Sequence, residues 1–259
     1  MILVNFLKYI YKYRIFKRIV PSLLRKTKKK VIVKSYNFKI STSLKDSIDR
    51  EIFLEGFYDR DRFNFLDKYF TNHNFDYFID VGSYTGYYAL YCYHYKKILN
   101  VFAFEPNIHN FNKLKENDLL NNSKINIYNF GCSDYEGEGQ IWYNNINKTG
   151  GSSIHKPNDF EIKKYSLSKI STQNVKLKKL DSFFENLSNK LIFIKVDVER
   201  YEMNVLKGSI NILKNNKILI QIESNLVLKG EVFNFLSKLN FIYISSIDDD
   251  HYLSNFIKT

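Results

Sequence analysis

The chain has 259 residues, 44% of them hydrophobic, with 39 basic and 27 acidic side chains for a formal charge of +12, and two cysteines, Cys92 and Cys132. That length and apolar content suit one large domain, alone or with a short appendage, and two cysteines exclude a disulfide framework and a Cys-x-x-Cys metal site, which fits a reducing compartment. The charge does not describe a general nucleic-acid face: ten basic residues and no acid lie in positions 1–30, leaving 29 basic and 27 acidic residues for the rest.

In chain order, the first segment, "MILVNFLKYIYKYRIFKRIVPSLLRKTKKK", places Leu3, Phe6, Leu7 and Ile10 at helical spacing. Cations interrupt it too often for a membrane span, and it lacks the uncharged run and cleavage site of a secretory signal. Two readings stay open: an amphipathic helix lying on an anionic membrane, or a helix packed on its own domain with solvated lysines. Residues 1–45 are expected to form this basic segment and 46–259 the main domain, in a cytoplasmic protein that is peripheral on the inner face of the membrane under the first reading. "FDYFIDV" (75–81) predicts a strand, "GYYALYCYHYKK" (86–97) a helix, "NVFAFE" (100–105) a strand, "NIHNFNKLKENDLLNN" (107–122) a helix and "KINIYNFG" (124–131) a strand. Residues 144–174 read as irregular. Then "LIFIKVD" (191–197), "YEMNVLKGSINILKNN" (201–216), "ILIQIE" (218–223), "EVFNFLSKL" (231–239), "FIYISSI" (241–247) and "YLSNFI" (252–257) resume the alternation. The pattern predicts an α/β, doubly wound, mostly parallel sheet covered on both faces by helices.

Only 10 residues are glycine, yet Gly82 and Gly86 both follow the first main strand, which closes on Asp80. In an open parallel sheet a ligand lies beyond the carboxyl ends of the strands, where the first strand-to-helix turn must let it approach the backbone. Glu105 ends the next strand, near the spacing at which a carboxylate reaches ribose hydroxyls. The middle glycine of a dinucleotide fingerprint is missing and no Walker lysine follows, so the pocket suits a nucleoside without a pyrophosphate, with S-adenosylmethionine (SAM) as the candidate.

"FIDVGSYTGYYAL", "VFAFEPN", "NFGCSDYEGEG", "GGSSI", "LDSFF" and "IKVDVERYEMNVLKGS" resemble, in order and spacing, the landmarks of the FkbM family of SAM-dependent methyltransferases over roughly residues 70–225. Tyr84 departs from the asparagine usual in "DVGAN.G" and Arg200 from the glycine of "DVEG.E". The resemblance implies a class I methyltransferase (Rossmann-like) fold, with seven strands and an antiparallel last one. It also implies that Asp80 and Gly82 line the methionine side of SAM, that Glu105 binds the ribose and that Asp134 approaches the adenine, with Ser83, Tyr84, Gly86 and Pro106 completing the contacts.

The expected chemistry is in-line methyl transfer, in which the protein positions the acceptor and removes its proton. Asp197 and Glu199, at the end of the fourth strand, are the candidate bases; Glu199 and Glu202 have a competing structural role as helix caps. A magnesium site from Asp197, Glu223 and Asn225 is the less favoured variant. His155 in the irregular stretch is the weakest catalytic candidate, and Trp142 with Tyr143 are candidates for stacking on a sugar. The leading function is O-methylation of a saccharide hydroxyl on a surface glycan or a glycosylated or lipid-linked metabolite. One alternative is an RNA methyltransferase using the basic arm, opposed by the nearly neutral body and the lack of an Asn-Pro-Pro-Tyr motif. Another is a noncatalytic glycan-assembly adaptor, opposed by the intact Asp80, Gly82, Glu105, Asp197 and Glu199.

Overall fold

The computed structural model describes residues 2–27, 29–144, 148–154, 170–224 and 226–257. Its main sheet has seven strands: β3 (Tyr77–Val81), β4 (Asn100–Phe104), β5 (Asn126–Tyr128), β10 (Leu191–Val196), β11 (Lys217–Glu223), β12 (Ile242–Ile247) and β13 (Asp250–Ser254). They lie in the order β12-β13-β11-β10-β3-β4-β5. β13 is antiparallel to both its neighbours, while the pairs from β11 across to β5 are parallel. This is the doubly wound class I methyltransferase sheet expected from the sequence, with its reversed last strand. The middle strands are near-continuous apolar runs because helices cover both faces, and Phe78 to Val81 and Ile192 to Val196 are buried throughout.

Two strands leave the centre of the sheet in opposite directions. β3 continues to β4 and β5 on one side, whereas β10 continues to β11 on the other, so the crevice beyond the carboxyl ends of β3 and β10 is the switch point. One register row across these strands is polar: Asp80 pairs with Lys195, Lys195 with Gln221 and Gln221 with Tyr252. All four side chains are buried, and Asp80 and Lys195 line the cavity at that crevice.

The remaining elements correct the expectations in four places. The stretch read as irregular contributes to a second sheet, in which β6 (Gly131–Cys132), β7 (Gly137–Asn144), β8 (Lys148–Ser153) and β9 (Ile170–Lys178) lie in the order β6-β9-β7-β8. The single strand expected over 124–131 is two, β5 and β6, and they belong to different sheets. The helix expected from residue 86 begins as α5 (Tyr87–Leu90) and then widens into a π-helical turn over Tyr91–Tyr95, where the Lys96 N–H reaches back five residues to the Tyr91 carbonyl at 3.1 Å. Finally, an antiparallel hairpin of β1 (Lys30–Ser35) and β2 (Phe38–Ser43) follows the two basic helices α1 (Ile2–Ile10) and α2 (Val20–Arg25). Val4, Leu7, Val20, Leu24, Phe38 and Ile40 share one hydrophobic cluster with Phe78 and Phe193 of the main sheet. Helices α3 (Ser47–Glu55), α4 (Arg60–Asn72) and α6 (Ile108–Leu120) complete the packing around β3 and β4.

Candidate active site

The turn after β3 is shaped by crowding. Gly82 has φ +83°, and a Cβ there would stand 1.8 Å from the carbonyl oxygen of Asp197, so only glycine lets the β3 turn lie against the end of β10. The Asp197 N–H donates to the Val81 carbonyl at 3.0 Å, and the N–H groups of Gly82 and Ser83 both donate to the Phe104 carbonyl of β4. Three strand ends are thereby locked around one cavity of about 550 Å³, within the roughly 300–1,000 Å³ range of small-molecule sites.

Asp80, Gly82, Ser83, Tyr84, Glu105 and Pro106 all line this cavity, as do Asp197, Glu199, Glu202, Trp142 and Tyr143. Gly86 does not line it: it adopts φ +82° at the start of α5, where a Cβ would meet Leu114 at 2.1 Å. Asp134 does not line it either. Its carboxylate accepts from Asn204 Nδ2 at 3.0 Å, and that bond is the chief reason its pKa lies below the ordinary carboxylate value. His155, and Asn225 of the magnesium variant, fall outside the described residues.

Asp80 is buried, and neither of its carboxylate oxygens has a hydrogen-bond partner among the described residues. Burial raises its pKa to about 6, opposed first by the Lys195 charge and more weakly by Ser83 and the Ala89 N–H, neither of which reaches hydrogen-bond geometry. An orphaned buried carboxylate on a cavity wall suits a cationic ligand group, because a buried acid needs a partner. Glu105 accepts from the Tyr84 N–H and the Asn107 N–H, each at 2.8 Å, and burial raises its pKa to about 8 despite those donors. Those two bonds and a further one from the Asn110 side chain leave only part of its acceptor capacity for ligand hydroxyls. Among the described residues, then, the side chains fit a ligand with an ammonium group and a vicinal diol.

The other half of the cavity is organised by Lys195, which the sequence reading had not singled out. Its ammonium pairs with Asp197 Oδ2 at 2.7 Å and lies 4.8 Å from the centre of the Tyr88 ring. Burial alone would depress its pKa, but Asp197, Asp80 and Asp250 outweigh it and hold the lysine charged. Asp197, about a third exposed, shares a hydrogen bond with Glu223. Burial works to raise its pKa, yet Lys195 and that bond keep it below the ordinary value. The neighbouring Asp197 charge, with the same hydrogen bond and burial, pushes Glu223 up to about 10. The two carboxyl groups thus titrate as a coupled pair, in which the Lys195 ammonium favours the negative charge on Asp197. A lysine inside an otherwise apolar strand, "LIFIKVD", was the signal available for Lys195, since a lysine is seldom fully buried without a partner. Tyr58 and Asp59, which also line the cavity, come from the loop before α4 and carry no comparable mark.

Glu199 and Arg200 sit at the mouth of β10 with φ +54° and +76°, and Tyr84 has φ +50°. Glu202, buried, accepts from the Arg200 N–H at 2.9 Å, and burial raises its pKa to about 7; it holds the turn that carries Glu199 and Arg200. Among the described residues no group of three or more His, Cys, Asp or Glu side chains is arranged to hold a metal ion.

A family model described as the methyltransferase FkbM domain matches residues 80–243. The hexuronic acid methyltransferase AglP of Haloferax volcanii is 29% identical over 146 residues, 56% of this chain and 55% of that protein, so the chain spans about half the length of the curated relative it matches. Similar solved structures include a methyltransferase from Pyrococcus furiosus (13% identity, 76% of this chain and 82% of that one, TM-score 0.39). Another is the N-terminal domain of human METTL16 in complex with SAH (10% identity, 76% and 69%, TM-score 0.42).

Proposed function

Because the chain belongs to the FkbM family of methyltransferases, we propose that it transfers a methyl group from SAM to a hydroxyl of a saccharide. The observation that carries this reading is the contact between the Gly82 turn and the end of β10, which puts the orphaned Asp80, the buried Glu105 and the ionised Asp197 on one cavity. Asp80 would hold the amino group of the methionine portion and Glu105 the ribose hydroxyls. When bound, SAM supplies an electrophilic methyl group for in-line attack by the acceptor oxygen.

The rest is work for this chain's own residues. Asp197 receives the acceptor's proton at its carboxylate, which the Lys195 ammonium keeps ionised at neutral pH. Glu223, whose pKa the Asp197 charge raises, shares a hydrogen bond with Asp197 and favours the negative charge there. Glu199, exposed at the cavity wall, is the second candidate for the proton. Trp142 and Tyr143 offer flat apolar faces on which a sugar ring can lie. A saccharide acceptor is supported by the likeness to a hexuronic acid methyltransferase.

Calorimetric titration of SAM into the folded protein tests the donor half. Roughly micromolar binding, about −8 kcal/mol, that Glu105→Ala abolishes is the expected result; no binding by a well-folded wild type withdraws the reading. Transfer of a labelled methyl group to hexuronic acid and neutral hexose glycans then tests the acceptor half. Asp197→Asn should keep SAM binding and lose transfer by about a hundredfold or more.

A further inference from the structure

We propose that residues 2–27 form a docking surface for an anionic membrane, independently of which acceptor the catalytic cavity takes. Helix α1 presents two apolar stripes. One, with Val4 and Leu7, is buried in the hydrophobic cluster that also holds Val20 and Leu24 of α2. The other faces outward: Leu3 is 65% exposed and Phe6 56%, and the connector to α2 adds Ile15 at 74%. Nearly half of the large apolar side chains left exposed among the described residues lie between positions 3 and 23. The inner stripe fixes the helix to the domain, so the outer one is held in water by the fold.

Charge decides the occupant. Residues 1–30 carry ten basic side chains and no acid. Lys8 turns inward, its ammonium 4.9 Å from the centre of the Phe53 ring. Lys12 lies 5.7 Å from the Tyr9 ring and Lys17 5.6 Å from the Tyr11 ring, so their stems follow the aromatic surface while their charges stay available. A second copy of this chain would appose two cationic faces. A nucleic acid would use the cations and leave Leu3, Phe6 and Ile15 in water. An anionic bilayer satisfies both, taking the apolar stripe among its acyl chains and the cations among its headgroups. No helix among the described residues is long and apolar enough to cross a membrane, so the segment lies in the interface plane.

The test is flotation of the full chain with vesicles of phosphatidylglycerol and phosphatidylcholine, and with phosphatidylcholine alone. The expected result is binding about tenfold stronger to the anionic vesicles and weakened by salt. The double variant Phe6→Ser, Ile15→Ser keeps the charge and, because both residues are exposed, the fold, which its melting temperature checks. It should lose about tenfold of the vesicle binding. Absence of vesicle binding, equal binding to both vesicle types or an undiminished double variant overturns the proposal. Binding to polyuridylate without vesicle binding overturns it in favour of a nucleic-acid arm, and self-association that the double variant abolishes, again without vesicle binding, in favour of a dimer face.

Discussion

Glu105 concentrates the tension of the site in one carboxyl group. Burial lifts it to about 8, while burial also lifts Asp80 to about 6 and Glu202 to about 7. These folded-state values lie above the ordinary carboxylate range, so between the two the folded chain binds more protons than the unfolded one. The resulting stability is complete below about pH 4 and is lost as pH rises through the folded values. The ligand-free protein should therefore melt at progressively lower temperature from about pH 5 to about pH 8, and Glu105→Gln should flatten that slope; a flat wild-type profile would contradict the assignment. Asp80, Glu105 and Asp197 were legible because each closes an apolar run, where side chains meet the cavity. Tyr84 and Arg200 were legible only as departures from a family pattern. Their φ values of +50° and +76° give the physical reason: those positions require left-handed backbone, which asparagine and glycine adopt readily and which costs other residues about 1–2 kcal/mol. Lys195 carried one local signal, a lysine inside an apolar strand, but its partners follow from register against Asp80 and Gln221, which a single sequence does not display.

Among the elements, α6 shows how local chemistry places the site. Asn107 caps it, accepting from the His109 N–H at 2.9 Å, and its own Nδ2 donates to Ser152 Oγ of β8 at 2.8 Å. One side chain thus starts the helix behind Glu105 and ties the second sheet to the cavity. Asn107→Ala should cost about 1–2 kcal/mol in urea unfolding, about 1 from the cap and the rest from the lost bridge. Ser152→Ala, which removes only the bridge, should reproduce only the smaller part of that loss. The parallel strands were readable from their length and continuous apolarity. The second sheet was not: β7 and β9 are rich in Gly, Lys, Asn, Ser and Thr, and their apolar cluster contains only Ile141, Val175 and Leu177 as buried members. Such strands are specified by their partners rather than by their own pattern.

At the scale of the whole molecule, the N-terminal segment is structural as well as basic. Val20, Leu24 and Ile40 are fully buried and pack in one cluster with the main sheet. A chain lacking residues 1–45 should consequently lose far more than a surface arm: removing several buried aliphatic residues at about 2–5 kcal/mol each exceeds the usual stability of a domain. Expression of that truncation should yield aggregated or unfolded protein by circular dichroism; a cooperative, undiminished melt would show the segment to be dispensable. The alternation of strands and helices made the doubly wound sheet legible, whereas the hairpin β1–β2 was absorbed into the basic segment although its runs rich in β-branched residues, 31–33 and 40–42, flank a two-residue turn at Tyr36 and Asn37.

β13 lies between β11 and β12, although it follows both in the chain. β12 therefore has no strand to join until the polypeptide has turned back and threaded its successor into the gap. During synthesis the sheet cannot be completed in the order in which its strands emerge from the ribosome. The edge of β11 stays open until Asp250–Ser254 arrives, and for that interval an unpaired apolar strand is exposed to other nascent chains.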